Sequence, residues 1–175
     1  MQDKQLVEWL FAKSGPILRY RIAVDLMDAS AQERERLYQV SLTTPEVQRW
    51  LDNLDQARNV HGSRDTDAEN PLAKLLAYGF DRRLGRMDRK IHQILNGPLK
   101  LWDPLVLCPY LVQAGYASHP LVSAWFSERV EKLHQTARNG SYDFYLGADE
   151  TRRVPKAWQG KPIYRDEYGH QSGYT

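Results

Sequence analysis

The side chains best suited to chemistry stand near the C-terminus. Tyr142, Asp143, Asp149 and Glu150 precede Arg152 and Arg153, so carboxylates able to move a proton lie close in sequence to guanidinium groups able to clamp a phosphate. Just beyond, Lys156, Trp158, Lys161, Tyr164 and Arg165 alternate cations with aromatic rings. That order suits a nucleic-acid backbone with stacked bases, or a diphosphate carrying an apolar tail. The same composition describes a mixed-charge surface whose aromatic rings fold back on a core while the lysine heads stay in water, and ordinary surface composition favours that description. The ligand-binding candidates are Tyr142, Asp143, Arg152, Arg153, Lys156, Trp158, Lys161 and Tyr164, and no catalytic residue is assigned.

Elsewhere the reactive residue types do not assemble. Cys108 and His119 could form half of a nucleophile and base pair, but two residues do not complete a structural zinc site, and a lone thiol is commonly a small core residue. His61, His92, His134 and His170 show no metal-ligand spacing, so neither metal nor cofactor is expected. Arg82, Arg83, Arg86, Arg89 and Lys90 form a basic cluster broken by Asp81 and Asp88; it could draw phosphate or an acidic partner, but a solvated turn entering a helix is the simpler assignment.

The elements that must position these groups are helices. The chain has 175 residues, a net charge of +2 and one cysteine, which makes it an ordinary globular domain that folds without disulfides and fits a reducing compartment. Met1 to Lys13 lacks the pattern of a secretory signal and no apolar run is long enough to span a bilayer, so the expected location is the cytoplasm. Leu6, Val7, Leu10 and Phe11 predict a first helix, stopped by Ser14-Gly15-Pro16, and Leu18, Ile22, Ala23 and Leu26 predict the inward face of a second. Ser30-Ala31-Gln32-Glu33 has the form of a capping box for a third helix carrying Leu37 and Val40, and Thr44-Pro45 opens a fourth with Val47, Trp50, Leu51 and Leu54 at strict helical spacing. Arg58 to Glu69 reads as an exposed loop. Asn70-Pro71 caps a fifth helix carrying Leu72, Leu75, Leu76 and Phe80; Met87, Ile91, Ile94 and Leu95 make a sixth, ended at Asn96-Gly97-Pro98 by a left-handed glycine. The seventh begins at Asp103-Pro104 or after Cys108, because Pro109 removes a hydrogen bond from any helix that runs through it. Leu121, Val122, Trp125, Phe126, Val130, Leu133 and Ala137 stripe an eighth, closed by Asn139-Gly140.

The expected fold is therefore all-α: stacked antiparallel helical hairpins of about eight helices, a toroid-like or HEAT-like curved array, over residues 1–140. An irregular aromatic-rich tail, 141–175, either packs on that domain or begins further repeats. The last two hairpins share an apolar helix, a Gly-aromatic pair (Gly79-Phe80 and Gly115-Tyr116), an amphipathic helix and Asn-Gly, at offsets of roughly 35–45 residues.

Val7-Glu8-Trp9-Leu10, the run Leu18 to Leu26, Pro71 to Leu76, Pro104 to Tyr116, His119-Pro120-Leu121-Val122 and Asn139-Gly140-Ser141-Tyr142 together resemble a group of mostly uncharacterised bacterial proteins classed with the squalene cyclase and prenyltransferase repeat fold. The resemblance implies an α/α toroid with inner and outer helices. It does not bring the chemistry: no Asp-x-Asp-Asp string occurs, Asp65-Thr66-Asp67 lacks the final aspartate, and no Asp-x-Cys precedes Cys108 to begin a zinc site. The leading expectation is thus a helical-repeat binding or interaction module without an evident catalytic motif, whose partner is a protein or a small apolar or diphosphate ligand. A cyclase- or prenyltransferase-like enzyme acting on an isoprenoid is the alternative. Nucleic-acid binding is disfavoured, since it requires basic residues gathered on one concave face.

Overall fold

The structure is a computed structural model that describes residues 2–100 and 103–140. The described residues form eight α-helices and no strand: α1 Gln2–Lys13, α2 Pro16–Asp25, α3 Ala31–Leu42, α4 Pro45–Gln56, α5 Glu69–Ala77, α6 Gly85–Leu95, α7 Asp103–Gln113 and α8 Pro120–Asn139. They fall into two compact units, one ending at Ala117 and containing α1 to α7, the other beginning at Ser118 and containing α8. None of the described helices is long and apolar enough to cross a membrane.

In the first unit α1 to α5 pack in sequence, each on the next, and α6 and α7 each pack on the helix two before them. The most extensive contacts are those of α2 on α3 and of α4 on α5, with α1 on α2, α3 on α4, α4 on α6 and α5 on α7 completing the array. Helix α4 shows why. Thr44 accepts a hydrogen bond from the Val47 N–H at 3.4 Å, Pro45 fills the first turn, and Val47, Trp50, Leu51 and Leu54 are all buried, as their spacing predicts. Leu72 and Leu75 of α5, Met87 and Ile91 of α6 and Leu107 and Leu111 of α7 complete this core. Each fully buried aliphatic side chain stabilises the fold by about 1.5–3 kcal/mol.

The second helix turns a different face inward from the one its leucines predict. Leu18 is 52% and Leu26 59% exposed, while Tyr20, Ile22 and Ala23 are buried. The tyrosine sets the rotation: its ring lies 5.5 Å from Tyr38 of α3 and 6.3 Å from Phe80, and Tyr38 lies 5.2 Å from Phe80. Burial of the Tyr20 ring against Tyr38 and Phe80 takes the place of burying the two leucines, and each of its two ring contacts adds about 0.5–1.5 kcal/mol beyond area. Val40 of α3 is likewise 43% exposed, and Leu37, Tyr38 and Ser41 form the buried face. Ser30 caps α3 by accepting from the Glu33 N–H at 3.2 Å, but the Glu33 carboxylate pairs with Arg36 at 2.7 Å, so only half of the predicted capping box forms.

Residues 58–69 are not the simple exposed loop their composition predicts. Asp67 is buried at 4% exposure and holds the segment together: its carboxylate accepts from the Arg64 N–H at 2.9 Å and from Asn59 Nδ2 at 3.3 Å. Glu69 accepts from the Gly62 N–H at 2.9 Å, and the Asn70 amide donates to the Gly62 and Arg64 carbonyls. Asn70 therefore serves the loop from inside α5, which starts at Glu69, rather than capping that helix.

Helices α5 and α7 end in the same way. At the first, Phe80 N–H donates to Leu75 O (3.0 Å) and Gly79 N–H to Leu76 O (2.9 Å); at the second, Tyr116 N–H donates to Leu111 O (2.8 Å) and Gly115 N–H to Val112 O (3.0 Å). This is the Schellman arrangement, which requires a left-handed residue at the glycine position, and Gly79 and Gly115 have φ of +87° and +93°. Phe80 therefore lies beyond its helix, not on it, and the aromatic that follows each glycine is buried. The shared Gly-aromatic pair is thus the same local structure twice, whereas the shared Asn-Gly is not. Gly97 has no positive φ and α6 closes through Gly97 N–H to Ile94 O, while Gly140 after α8 is left-handed at +62°.

Helix α7 starts at Asp103 and continues through Pro109. In the second unit, Val122 of α8 is fully buried and Leu121 and Trp125 are half-buried, but Val130 and Leu133 are 62% and 60% exposed, so the predicted stripe is covered only toward its N-terminal end.

Candidate functional site

The eight residues singled out for ligand binding, Tyr142, Asp143, Arg152, Arg153, Lys156, Trp158, Lys161 and Tyr164, all lie outside the described residues. The remaining candidates are placed. Cys108 is fully buried on α7 in the first unit, and His119 is the half-buried residue before α8 in the second. Among the described residues no three His, Cys, Asp or Glu side chains are grouped to hold a metal ion.

Most of the basic cluster is engaged within the first unit. Arg86 reaches α4, donating to Asp52 at 2.8 Å and Asp55 at 2.5 Å, and this pairing raises its pKa further above the usual arginine range. Lys90 Nζ donates to the Asp55 and Ala57 carbonyls at 2.9 Å each, so a cation closes the C-terminal end of α4 where the helix dipole favours it. Arg19 does the same for α1 through the Phe11 and Ala12 carbonyls. Arg83 pairs with Asp81 at 2.9 Å and lies over the Tyr38 ring, and Arg82 donates to Gly115 O and lies over Tyr116. These cations are structural ties between elements, which removes them from a phosphate-binding surface.

Around α6 a second polar cluster forms. Tyr116 donates to the Asp88 carboxylate, whose helix also presents His92 with Nδ1 2.9 Å from Asp88 O and its ring 5.7 Å from Tyr116. Burial, then the Asp88 carboxylate, raises the Tyr116 pKa, so this phenol stays protonated and acts as a donor. The arrangement fastens the Gly115 turn to α6. The two buried carboxylates among the described residues are also in structural use: Asp67 in its loop, and Asp103 accepting from the Lys100 N–H at 2.7 Å.

Among the concavities of the described residues, two bear on binding. The larger, about 610 Å³, is a groove where three element ends meet: Gly15, Pro16, Ile17, Leu18 and Arg21 from the start of α2, Thr44, Pro45 and Glu46 from the start of α4, and Ala77 and Tyr78 from the end of α5. Its walls are mainly apolar. Its polar rim carries both signs: Arg21, paired with Asp25 at 2.6 Å, and Glu46, which accepts from the Tyr78 hydroxyl. Gly15 gives α2 no side-chain cap and no acidic residue stands in its first turn, so the Ile17 and Leu18 N–H groups are left for another acceptor. The smaller, about 370 Å³, is bounded by Tyr20, Val24, Ala31, Arg34, Glu35, Tyr38 and Arg83.

Sequence reasoning reads the groove residues only as helix punctuation. Gly15-Pro16 and Thr44-Pro45 do start helices, but nothing local shows that two starts and one end converge. Leu18, read from its spacing as an inward residue of α2, gives no warning either, and it is exposed because α2 turns another face to the core.

The fold and these surfaces define an all-helical domain with an apolar groove and a tyrosine-lined cavity on one unit. Compared with known proteins, the chain matches no family model, no curated protein and no solved structure.

Proposed function

We propose that the chain is a binding module whose groove at the ends of α2, α4 and α5 seats a polypeptide segment with apolar anchor side chains. The observation that carries this is the groove itself: about 610 Å³ of mainly apolar concavity, within the range that ligand sites occupy, with Leu18 left 52% exposed in its wall. The rim chooses the class of partner. A diphosphate needs an excess of positive charge, whereas Arg21 is already answered by Asp25 and Glu46 adds a negative charge. A polypeptide offers apolar side chains for the walls and backbone carbonyls or a carboxylate for the uncapped N–H groups of α2, so it satisfies both features.

The test is selection from a displayed peptide library against the full chain, followed by affinity measurement for a selected peptide. Enriched peptides should share spaced apolar residues with a neighbouring acidic one. Leu18→Glu and Ala77→Glu, both at exposed positions, should each weaken binding about tenfold or more, about 1.4 kcal/mol. Enrichment that is indifferent to both substitutions would refute the groove, and turnover of an isoprenoid substrate by the chain would favour the enzyme alternative instead.

A further inference from the structure

Beside the groove stands a pair of cations that the described residues leave unanswered. Arg49 lies one turn after Glu46 on α4, and Lys74 lies one turn before Tyr78 at the end of α5; Glu46 and Tyr78 both line the groove. Spacings of three and four put the members of each pair on one helix face, and α4 packs on α5. The Trp50 ring brings the two cations together, with the Arg49 guanidinium 4.9 Å and the Lys74 ammonium 6.0 Å from its centroid. That ring is 6% exposed, whereas both cations are exposed and reachable from solvent. Among the described residues neither has an ion-pair or hydrogen-bond partner, unlike Arg86 and Lys90, which are engaged on α4. Glu46 accepts from the Tyr78 hydroxyl and makes no ion pair with Arg49.

We propose that the polypeptide seated in the groove carries an acidic side chain beyond its apolar anchors, and that this carboxylate docks against Arg49 and Lys74. The inference rests on the groove as a polypeptide site and adds a register to it: the acid is fixed in position relative to the side chains that meet Leu18 and Ala77. Charge sets the class. Arg21 and Asp25 cancel, and Asp52 and Asp55 are met by Arg86 and, through a carbonyl of the same helix end, accompanied by Lys90. What remains on this face is Arg49 and Lys74 against Glu46. A single carboxylate balances that surplus, an all-apolar segment leaves it unmet, and a diphosphate reverses it. The Trp50 ring also preorganises the site, since cations already stacked on an aromatic face lose less freedom when a partner fixes them. This acid is distinct from an acceptor at the uncapped N–H groups of α2, because its partners stand on α4 and α5.

Parallel selection of one displayed random-peptide library against the full chain, its Arg49→Gln/Lys74→Gln double variant and its Leu18→Glu variant tests this. Peptides enriched on the parent should share an aspartate or glutamate at a constant spacing from their apolar anchors. The double variant should enrich the same anchors without that acid. For one enriched peptide, replacing the acid by its amide should weaken binding to the parent about threefold to fivefold and leave binding to the double variant unchanged. Lys74→Arg, which keeps the charge, should retain the parent's affinity. Both substituted side chains are exposed, so the double variant should keep the parent's melting temperature, which separates loss of binding from loss of fold. Peptides that depend on Leu18 but share no acid, or whose acid matters equally in the parent and the double variant, would overturn the inference and leave the groove standing. Peptides whose acid is required but which bind Leu18→Glu as tightly as the parent would overturn the register, because the cations would then act apart from the groove. Enrichment of no peptide on the parent would overturn the groove and this inference together.

Discussion

Alanine at each of four glycines separates the two kinds of helix end in this chain. At Gly79, alanine must adopt φ +87°, which costs an L-residue about 1–2 kcal/mol, and its Cβ would stand 2.9 Å from Tyr20 Cε1 and 2.8 Å from Arg21 Nη1. The arginine can move, but Tyr20 is held between Tyr38 and Phe80, so an overpacking cost of about 1–3 kcal/mol is added. The expected loss is about 3 kcal/mol, or roughly 6–12 °C in Tm for a chain of this size. Gly115→Ala carries the same backbone cost but meets only Arg82 Cδ at 2.9 Å, the flexible part of a side chain, and should lose about 2 kcal/mol. Gly140→Ala, left-handed with open space around it, should lose about 1 kcal/mol. Gly97→Ala has no positive φ; its contact with Gln93 O at 3.3 Å is offset by the ~0.4–1 kcal/mol that alanine gains from a less flexible unfolded chain, so it should be near neutral. Urea unfolding followed by far-UV circular dichroism measures all four. If Gly97→Ala were as damaging as Gly79→Ala, the distinction drawn between a Schellman end and a plain helical end would be wrong.

Three other expectations follow from features already described. Thr44→Ala removes the cap of α4 and should cost about 1 kcal/mol in the same unfolding assay, with Thr44→Ser restoring most of it. Asp67→Ala leaves the Arg64 N–H and the Asn59 amide without their acceptor and should cost about 2–3 kcal/mol, with hydrogen exchange rising across 59–70 before the α4 core is affected. Burial, then the Asp81 carboxylate, pushes the Tyr38 pKa up to about 12. A phenol whose folded pKa exceeds its unfolded value of ~10 makes no pH-dependent contribution below pH ~10, and stability falls by about 1.4 kcal/mol per pH unit between ~10 and ~12. Phenolate absorbance on alkaline titration should therefore show a class of late-titrating tyrosines that is one member smaller in Tyr38→Phe.

How much of this was legible in the sequence depended on how local each cause was. Helix α4 can be read whole because cap, proline and apolar spacing agree and all lie within a dozen residues. The face of α2 cannot, because the choice between Leu18 and Tyr20 is made by Tyr38 and Phe80, far along the chain. Asp67 looks like loop polarity until its partners are seen to be backbone N–H groups only a few residues away. The basic cluster reads as a solvated turn because its acidic and carbonyl partners, Asp52, Asp55 and Ala57, stand on α4 and at its C-terminal cap. The candidate site follows the same rule: a groove made of three element ends is a tertiary object, which no spacing records.

The paired ends of α5 and α7 have a consequence for how such a chain can change length. Phe80 and Tyr116 close the same joint, with the same two backbone bonds and the same left-handed glycine before them. Excising residues 81–116, or copying them in place, leaves an intact joint at the seam, because the chain is rejoined at a point whose local conformation is already fixed on both sides. Cuts out of register with that joint would join a helix interior to a turn. The joint is thus the natural splice point for shortening or lengthening the array by a helix pair.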